Sequence, residues 1–362
     1  MDRTIIYGLF LVTFVPMAVV TICMPYLTRR TESFGVSIPK DAYQSAELVR
    51  LRKAYVAATA LIAVLSALIM GLLSRYELAF PAVITTYLIA SFAVYLVFHK
   101  KMKALKAERN WSAGRRERLV ADTAFRKQKL TYSNAWFMIP FAASLLTLVA
   151  TLAMYDKMPA RIPVKYDFQG HVVRWADKSI RSVFTLPVLQ FYMLALFVFI
   201  NTVIGRSKAL IDADNPEASV RKNIAFRRRW SLFIICTGSA LIFLEILMQW
   251  SFIYKLSAVW LIAGNFIVLA FILFGTAALA LTTGQGGSRI AGNGQEKSAV
   301  INRDDDRYWK LGIFYFNPDD PALFIEKRFG VGWTNNFAHP LSWVILLSIV
   351  VVPIVLVVFL AR

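Results

Sequence analysis

Glu245 lies within the apolar run 231–250 and is the one acidic residue well inside a segment of that kind. A carboxylate facing lipid is costly, so such a segment must turn it toward a protein interior, paired or protonated. Two roles fit that placement. One is a relay for protons or cations, as in a secondary transporter or channel. The other is a hydrogen bond between helices, with Asn201, Asn265 or Gln190 as partner. Transporters generally carry several such groups, and here there is a single carboxylate.

A second group of chemically capable residues lies between two apolar runs, from Pro159 to Lys178. Pro159 and Pro163 restrict its start. Alternating Val164, Tyr166 and Phe168, the Gln169-Gly170 punctuation, and then Val172, Val173 and Trp175 predict a small β-hairpin. Tyr166, Asp167, Gly170, Arg174, Trp175 and Lys178 offer aromatic and charged contacts to a ligand. The aromatics are equally explained as anchors at the lipid interface.

A third group follows residue 300. Trp309, Tyr315, Asn317, Asp320, Arg328 and Trp333 fall in an aromatic-rich stretch that predicts two strands around an Asn317-Pro318-Asp319-Asp320 turn, with Pro318 setting the turn angle. They suit a contact module for another protein. Docking of Trp309, Phe314, Tyr315 and Trp333 on a membrane face is the competing expectation. Upstream, Asp304-Asp305-Asp306 lacks calcium-loop spacing and is expected to be a solvated run.

Signatures of catalysis are absent. There is neither a His-Glu-x-x-His pair nor a Gly-x-Ser-x-Gly elbow, and His99, His171 and His339 fall in three different loops. Cys23 and Cys236 sit inside apolar runs, which argues against a disulfide framework or zinc site. The expectation is a non-enzymatic protein with no metal and no cofactor.

The elements that must position these residues follow from composition. Of 362 residues 57% are hydrophobic and only 17% charged, with a mean hydropathy of +0.54. A soluble chain carries roughly a quarter charged residues. Soluble enzyme, disordered scaffold and secreted disulfide module are excluded. Apolar runs at 5–25, 54–73, 78–98, 136–155, 184–204, 231–250, 258–283 and 341–360 are each long enough for a helix crossing a hydrocarbon core of roughly 30 Å. The first lacks a small-residue cleavage pattern and is interrupted by Pro16 and Pro25, so it reads as a membrane helix, not a signal peptide. The fold class is therefore all-α: a polytopic integral membrane protein of about eight transmembrane helices. It carries a small extracytoplasmic hairpin and a C-terminal cytoplasmic module resembling a β-hairpin. The segments are 1–135 (three helices and a basic loop), 136–204 (helix-loop-helix), 205–283 (helices six and seven with their loop), 284–340 (linker and module) and 341–362 (last helix).

Charge orients the spans. Loops 28–53, 99–135, 205–230 and 284–340 hold 31 of the 41 Lys and Arg residues, which makes them cytoplasmic and both termini extracytoplasmic in a multi-pass cell-membrane protein. The net charge of +19 then reads as basic loops facing anionic lipid, with no nucleic-acid-binding fold to suggest direct nucleic-acid contact. Loop 99–135 is expected to extend its helices into the cytoplasm and to touch anionic lipid. Stretch 284–299 reads as a flexible linker whose glycines fit neither phosphate-binding fingerprint.

The 159–178 string resembles the motif of the membrane family called domain of unknown function 1648, best known through SdpI-type toxin-immunity proteins. That motif runs approximately Pro-x-x-Ile/Val-Pro-x-His-aromatic-Asn-x-x-Gly, then x-x-Asp-x-aromatic-x-x-Lys. Pro159, Ile162, Pro163, Tyr166, Gly170, Trp175 and Lys178 occupy matching positions, while Lys165 stands for the usual His and Asp167 for the usual Asn. The stretches Tyr308–Pro321 and Phe324–Asn336 resemble domain of unknown function 5808, which accompanies the first in longer members. The resemblance implies a membrane sensor or immunity-type protein. Its outer hairpin would meet a ligand such as an amphipathic peptide, and its cytoplasmic module would meet a regulator. A transporter or channel built on Glu245 is the alternative.

Overall fold

The computed structural model describes residues 3–76, 78–111, 128–167, 170–211, 215–254, 256–290 and 305–361. Its long helices are α1 (Arg3–Leu27), α2 (Ala46–Leu73), α3 (Ala79–Glu108), α4 (Met138–Ala153), α5 (Ile180–Arg206), α6 (Pro216–Trp250), α7 (Ala258–Thr283) and α8 (Pro340–Ala361). Among the described residues α1 to α7, with α4 extended back through the helical turn from Asn134, are long and apolar enough to cross a membrane, and α8 is a shorter apolar helix over Pro340–Val355. The chain is thus a mainly helical, multi-pass membrane protein. Several helices outrun their apolar cores because capping residues, not hydropathy, set their ends. Ser45 accepts a hydrogen bond from the Leu48 amide and starts α2 well before its apolar run. In α6, Pro216 stands at the first helical position and Asn215 Oδ1 accepts from the Ala218 amide. Arg227, Arg228 and Arg229 consequently lie inside the helix.

Contacts group the chain into two units. The first comprises residues 1–130, 206–229 and 273–342, and the second 131–205, 230–272 and 343–362.

In the first unit, α1, α2 and α3 share a core of Phe10, Phe14, Met70, Val83 and Tyr87. Beyond it a hairpin unforeseen in the sequence, β1 (Glu32–Ser33) and β2 (Val36–Ser37), inserts Phe34 among Tyr55, Phe98 and Phe329. Its two-residue turn places both Phe34 and Gly35 at positive φ (48° and 77°), the geometry that matches strand twist in tight hairpins. A Phe rarely adopts that conformation. Here its ring is 1% exposed, and burial of an aromatic side chain offsets the backbone cost. Gly35 is required in turn, because a Cβ there would come within 2.5 Å of the Gly312 carbonyl oxygen.

The C-terminal module completes the first unit with two hairpins: β5 (Trp309–Lys310) with β6 (Phe314–Tyr315), and β7 (Phe324–Glu326) with β8 (Trp333–Asn335). This corrects the expectation of two strands paired around the Asn-Pro-Asp-Asp turn. That turn joins β6 to β7, which are not paired to each other. Asn336 instead holds it from the side: its Nδ2 donates to the Asn317 and Asp320 carbonyls, and its Oδ1 accepts from the Asn317 amide at 3.0 Å.

Described parts of each of the four basic loops meet in this unit. Arg29 and Arg227 reach Glu326, Lys106 reaches Asp306 at 2.6 Å, and Lys208 reaches Asp320 at 2.6 Å. Two further expectations are corrected. Asp305 and Asp306 are not a solvated run, since both pair with the buried Arg328; Asp304 lies outside the described residues. The beginning of the 284–299 stretch is not a linker either. Gln285 is fully buried and exchanges two hydrogen bonds with the Gly332 backbone, while residues 291–299 lie outside the described residues. In loop 99–135, residues 112–127 lie outside them too. Of the remainder, α3 continues to Glu108 as foreseen, and Lys106 and Arg109 face Asp306 and Glu47 of the protein itself.

The second unit packs α4, α5 and the later part of α6 through single buried faces. In α4 that face is Pro140, Ser144, Thr147 and Thr151; in α5 it is Val183, Pro187, Gln190, Leu194, Phe197 and Asn201. Gly238 admits the Phe197 ring so closely that a Cβ there would lie 2.6 Å from it.

Candidate functional site

The predicted hairpin forms from β3 (Arg161–Tyr166) and β4 (Val172–Asp177), antiparallel with bulges around Lys165. Ile162 and its partner Ala176 join Met158, Val183 and Phe252, while Pro163, Tyr166 and Val172 are half-buried. The remainder faces outward. Val173 is 58% and Trp175 53% exposed, and Lys165, Arg174 and Asp177 are exposed as well.

The six candidate residues divide by what they touch. Asp167 closes the turn: its carboxylate accepts from the His171 amide at 2.8 Å and meets His171 Nδ1 at 3.2 Å. Gly170 sits at φ 90°, with space for a Cβ limited by Ala258 at 3.0 Å. Lys178 Nζ donates to the carbonyls of Tyr155, Asp156 and Met158 at 3.3–3.5 Å and lies over the Tyr155 ring. Those carbonyls belong to the turn after α4, where helix-end oxygens lack intrahelical donors. Asp167, Gly170 and Lys178 therefore build the hairpin. Arg174 and Trp175 are left presented at its surface, with Tyr166 half-buried beside them. Phe168 and Gln169, read as part of the turn, lie outside the described residues.

The C-terminal candidates are brought together differently. The Trp309 and Tyr315 rings meet at a tilt, 5.1 Å between centroids, and are buried with Ile325, and Arg328 lies over the Trp309 ring. Tyr315 donates to Asp320 at 2.8 Å and accepts from Asn317 Nδ2 at 3.0 Å. Burial by itself would raise the Asp320 carboxyl, but Lys208, the Ala322 amide and Tyr315 hold it below the usual carboxylate range. A cavity of about 200 Å³ opens beside these groups, lined by Lys208, Asp305, Tyr308, Tyr315, Asn317 and Asp319 among others. Trp333 lies 5.3 Å from Phe226. These residues are core-formers of the module, and Phe314 and Phe316, 42% and 43% exposed, are aromatics it presents.

The sequence reading missed the residue at the centre of this unit, Glu326. With no exposed surface, it accepts from Asn223 Nδ2 at 2.7 Å, from Arg227 at 3.1 Å and from Arg29. The available signal was Asn223 and Arg227 spaced one helical turn apart ahead of an apolar run. In the second unit, none of the partners foreseen for Glu245 is bonded to it. Asn201 bonds Tyr132, Asn134 and Ser231, and Asn265 bonds the Leu261 carbonyl. Gln190 has no hydrogen-bond partner at either amide atom.

Long apolar helices together with an exposed hairpin and a compact module of two hairpins, among the described residues, define a class of multi-pass membrane proteins. Within it, residues 142–191 match the model of a domain of unknown function, DUF1648, and residues 318–343 match that of a family of unknown function, DUF5808. The first match covers α4, the hairpin and the first part of α5; the second covers the turn after β6, β7, β8 and the start of α8. No curated protein and no solved structure matches the chain.

Proposed function

We propose that this protein is a non-enzymatic membrane sensor or toxin-immunity protein of the SdpI-like class. It lies in the cell membrane with both termini and the β3–β4 hairpin outside. The ligand is an extracytoplasmic amphipathic peptide, met by Tyr166, Arg174 and Trp175. The part of the first unit formed by the basic loops and the C-terminal hairpins is the cytoplasmic face from which a regulator is engaged.

The observation that carries this reading is the division of labour in the hairpin. Ile162, Asp167, Gly170 and Lys178 fix its shape, while Trp175 and Arg174 are held exposed on a preformed support. Rigid aromatic area presented without an ordering cost is what a binding surface needs. Convergence of the basic loops in one body supports the orientation, since their positive charge belongs on the cytoplasmic side.

The test is survival of cells carrying the protein when challenged with amphipathic peptide toxins. Tyr166→Ala with Trp175→Ala abolishes protection while leaving the membrane level of the protein unchanged. Full protection by a normally inserted double variant would overturn the reading.

A further inference from the structure

Two hydrogen-bonded clamps fix the register of α4, α5 and α6 in the second unit. At one end, Gln249 Nε2 of α6 donates to Thr151 Oγ1 of α4 and to the Val183 carbonyl of α5, both at 3.1 Å. At the other end, Asn201 of α5 donates to the Tyr132 carbonyl and to Asn134 Oδ1 just ahead of α4. It also accepts from Ser231 of α6 at 2.6 Å. Between the clamps, positions can be matched by counting at about 1.5 Å per residue.

Ser144 lies seven residues inward from Thr151, and Gln190 seven inward from Val183. Seven residues are two turns, so each returns to within about 20° of the face that made the clamp, about 10 Å deeper. Glu245 lies four residues inward from Gln249, one turn and about 6 Å deeper. Counting thus brings a hydroxyl, a carboxamide and a carboxyl from three helices to neighbouring levels on facing surfaces.

These groups are unsatisfied. Ser144 and Gln190 have no exposed surface. Ser144 Oγ, both amide atoms of Gln190, and Glu245 Oε2 are buried without a hydrogen-bond partner. Buried polar atoms in native proteins nearly always have one, and an ionisable group such as Glu245 inside a membrane bundle marks an ion or proton pathway. The donor set selects the occupant. A bare metal cation takes only lone pairs and would leave Gln190 Nε2 unpaired. Water accepts from Nε2 and donates to Glu245.

Charge points the same way. Helices α4, α7 and α8 contain no charged residue, and those of α5 are Arg181 and Arg206, near its two ends. Along α6 none intervenes between Arg229 and Glu245, nor from Glu245 to Trp250. These helices thus supply no fixed cation at the level of Glu245.

We propose that Ser144, Gln190 and Glu245 form a proton-binding site at mid-depth of the second unit. Water bonded to Ser144 and Gln190 passes a proton to Glu245. The hydronium oxygen loses its proton, Glu245 Oε2 gains it, and neutral water and carboxylic acid result. The site is separate from the hairpin residues of the proposed sensor and stands or falls without them.

The experiment is infrared difference spectroscopy of the full chain in lipid nanodiscs across a pH titration, in sodium and in choline buffer. A protonated-carboxyl carbonyl band should titrate in the parent and be missing in Glu245→Gln. Its midpoint should move by about tenfold in proton concentration in Gln190→Leu or in Ser144→Ala, because a hydrogen bond to one protonation state is lost. Either variant suffices if the other fails to fold. Three outcomes overturn the proposal. The first is an unchanged band in Glu245→Gln, which removes the titrating group. The second is an unmoved midpoint in the folded Gln190 or Ser144 variants, which separates Glu245 from them. The third is a midpoint that depends on sodium, which assigns the site to a metal cation.

Discussion

Arg227 and Glu326, ninety-nine residues apart, form an ion pair at 3.1 Å in which neither side chain has any exposed surface. Arg227 also donates to Asn223 Oδ1 at 2.6 Å and to the Ser207 carbonyl at 3.1 Å. The pair joins α6 to β7, and Arg29 adds the segment that follows α1. A buried ion pair contributes little beyond what apolar packing would, but removal of one partner strands the other charge. Glu326→Ala is therefore expected to cost about 3–5 kcal/mol. Thermal unfolding of the purified protein in detergent, with limited proteolysis of the C-terminal module, checks it.

Acid should loosen the same unit at a second point. Burial opposes ionisation of Asp306, but Arg328 and Lys106 outweigh it and hold its carboxyl at about 2, below its ordinary value of 3.8. Its contribution to stability is thus present above about pH 4 and is lost as pH falls through 2. Asp306→Asn should lower stability at neutral pH and flatten the dependence between pH 4 and pH 2, measured by unfolding at several pH values.

The hairpin should depend on Lys178 for its shape. Lys178→Met keeps the stem but removes the donor shared by three carbonyls, an expected loss of about 1–3 kcal/mol. Proteolytic nicking between Tyr155 and Ser179 should increase while the remaining spans stay intact. Gly170→Val should act in the same direction, because φ 90° and the approach of Ala258 both oppose a branched side chain.

The clamp at Gln249 should be measurable by itself. Gln249→Leu removes two interhelical hydrogen bonds, and such bonds in membrane bundles are worth about 0.6–1.7 kcal/mol. A shift of that size in a reversible detergent-denaturation curve is expected, without loss of membrane insertion.

Orientation is accessible by labelling. In a background lacking Cys23 and Cys236, Val173→Cys should react from outside with an impermeant thiol reagent, and Lys310→Cys only after permeabilisation. Both positions are exposed, so a failure to react reports sidedness and not burial. Equal outside reaction of the two would refute the eight-span arrangement.

The sequence by itself determined where the apolar helices lie. Length and hydropathy are local properties, and the run 258–283 coincides with α7. It also determined the β3–β4 hairpin, whose prolines, alternation and glycine are local signals, and the two family resemblances, which are short motifs. The rest was decided by tertiary contacts that carry no local signature. Asp305 and Asp306 read as a solvated run until Arg328, more than twenty residues on, is placed between them. Nothing local in the sequence showed that Lys178 donates to the turn after α4 or that Asp167 accepts from the His171 amide. Glu326 lies within a family motif, but nothing local marks it as buried; three partners distant in the chain make that burial tolerable. Hydrophobic burial is nearly additive along the chain and so can be read from it. Pairing of polar groups depends on which distant partner arrives, and only the folded chain decides that.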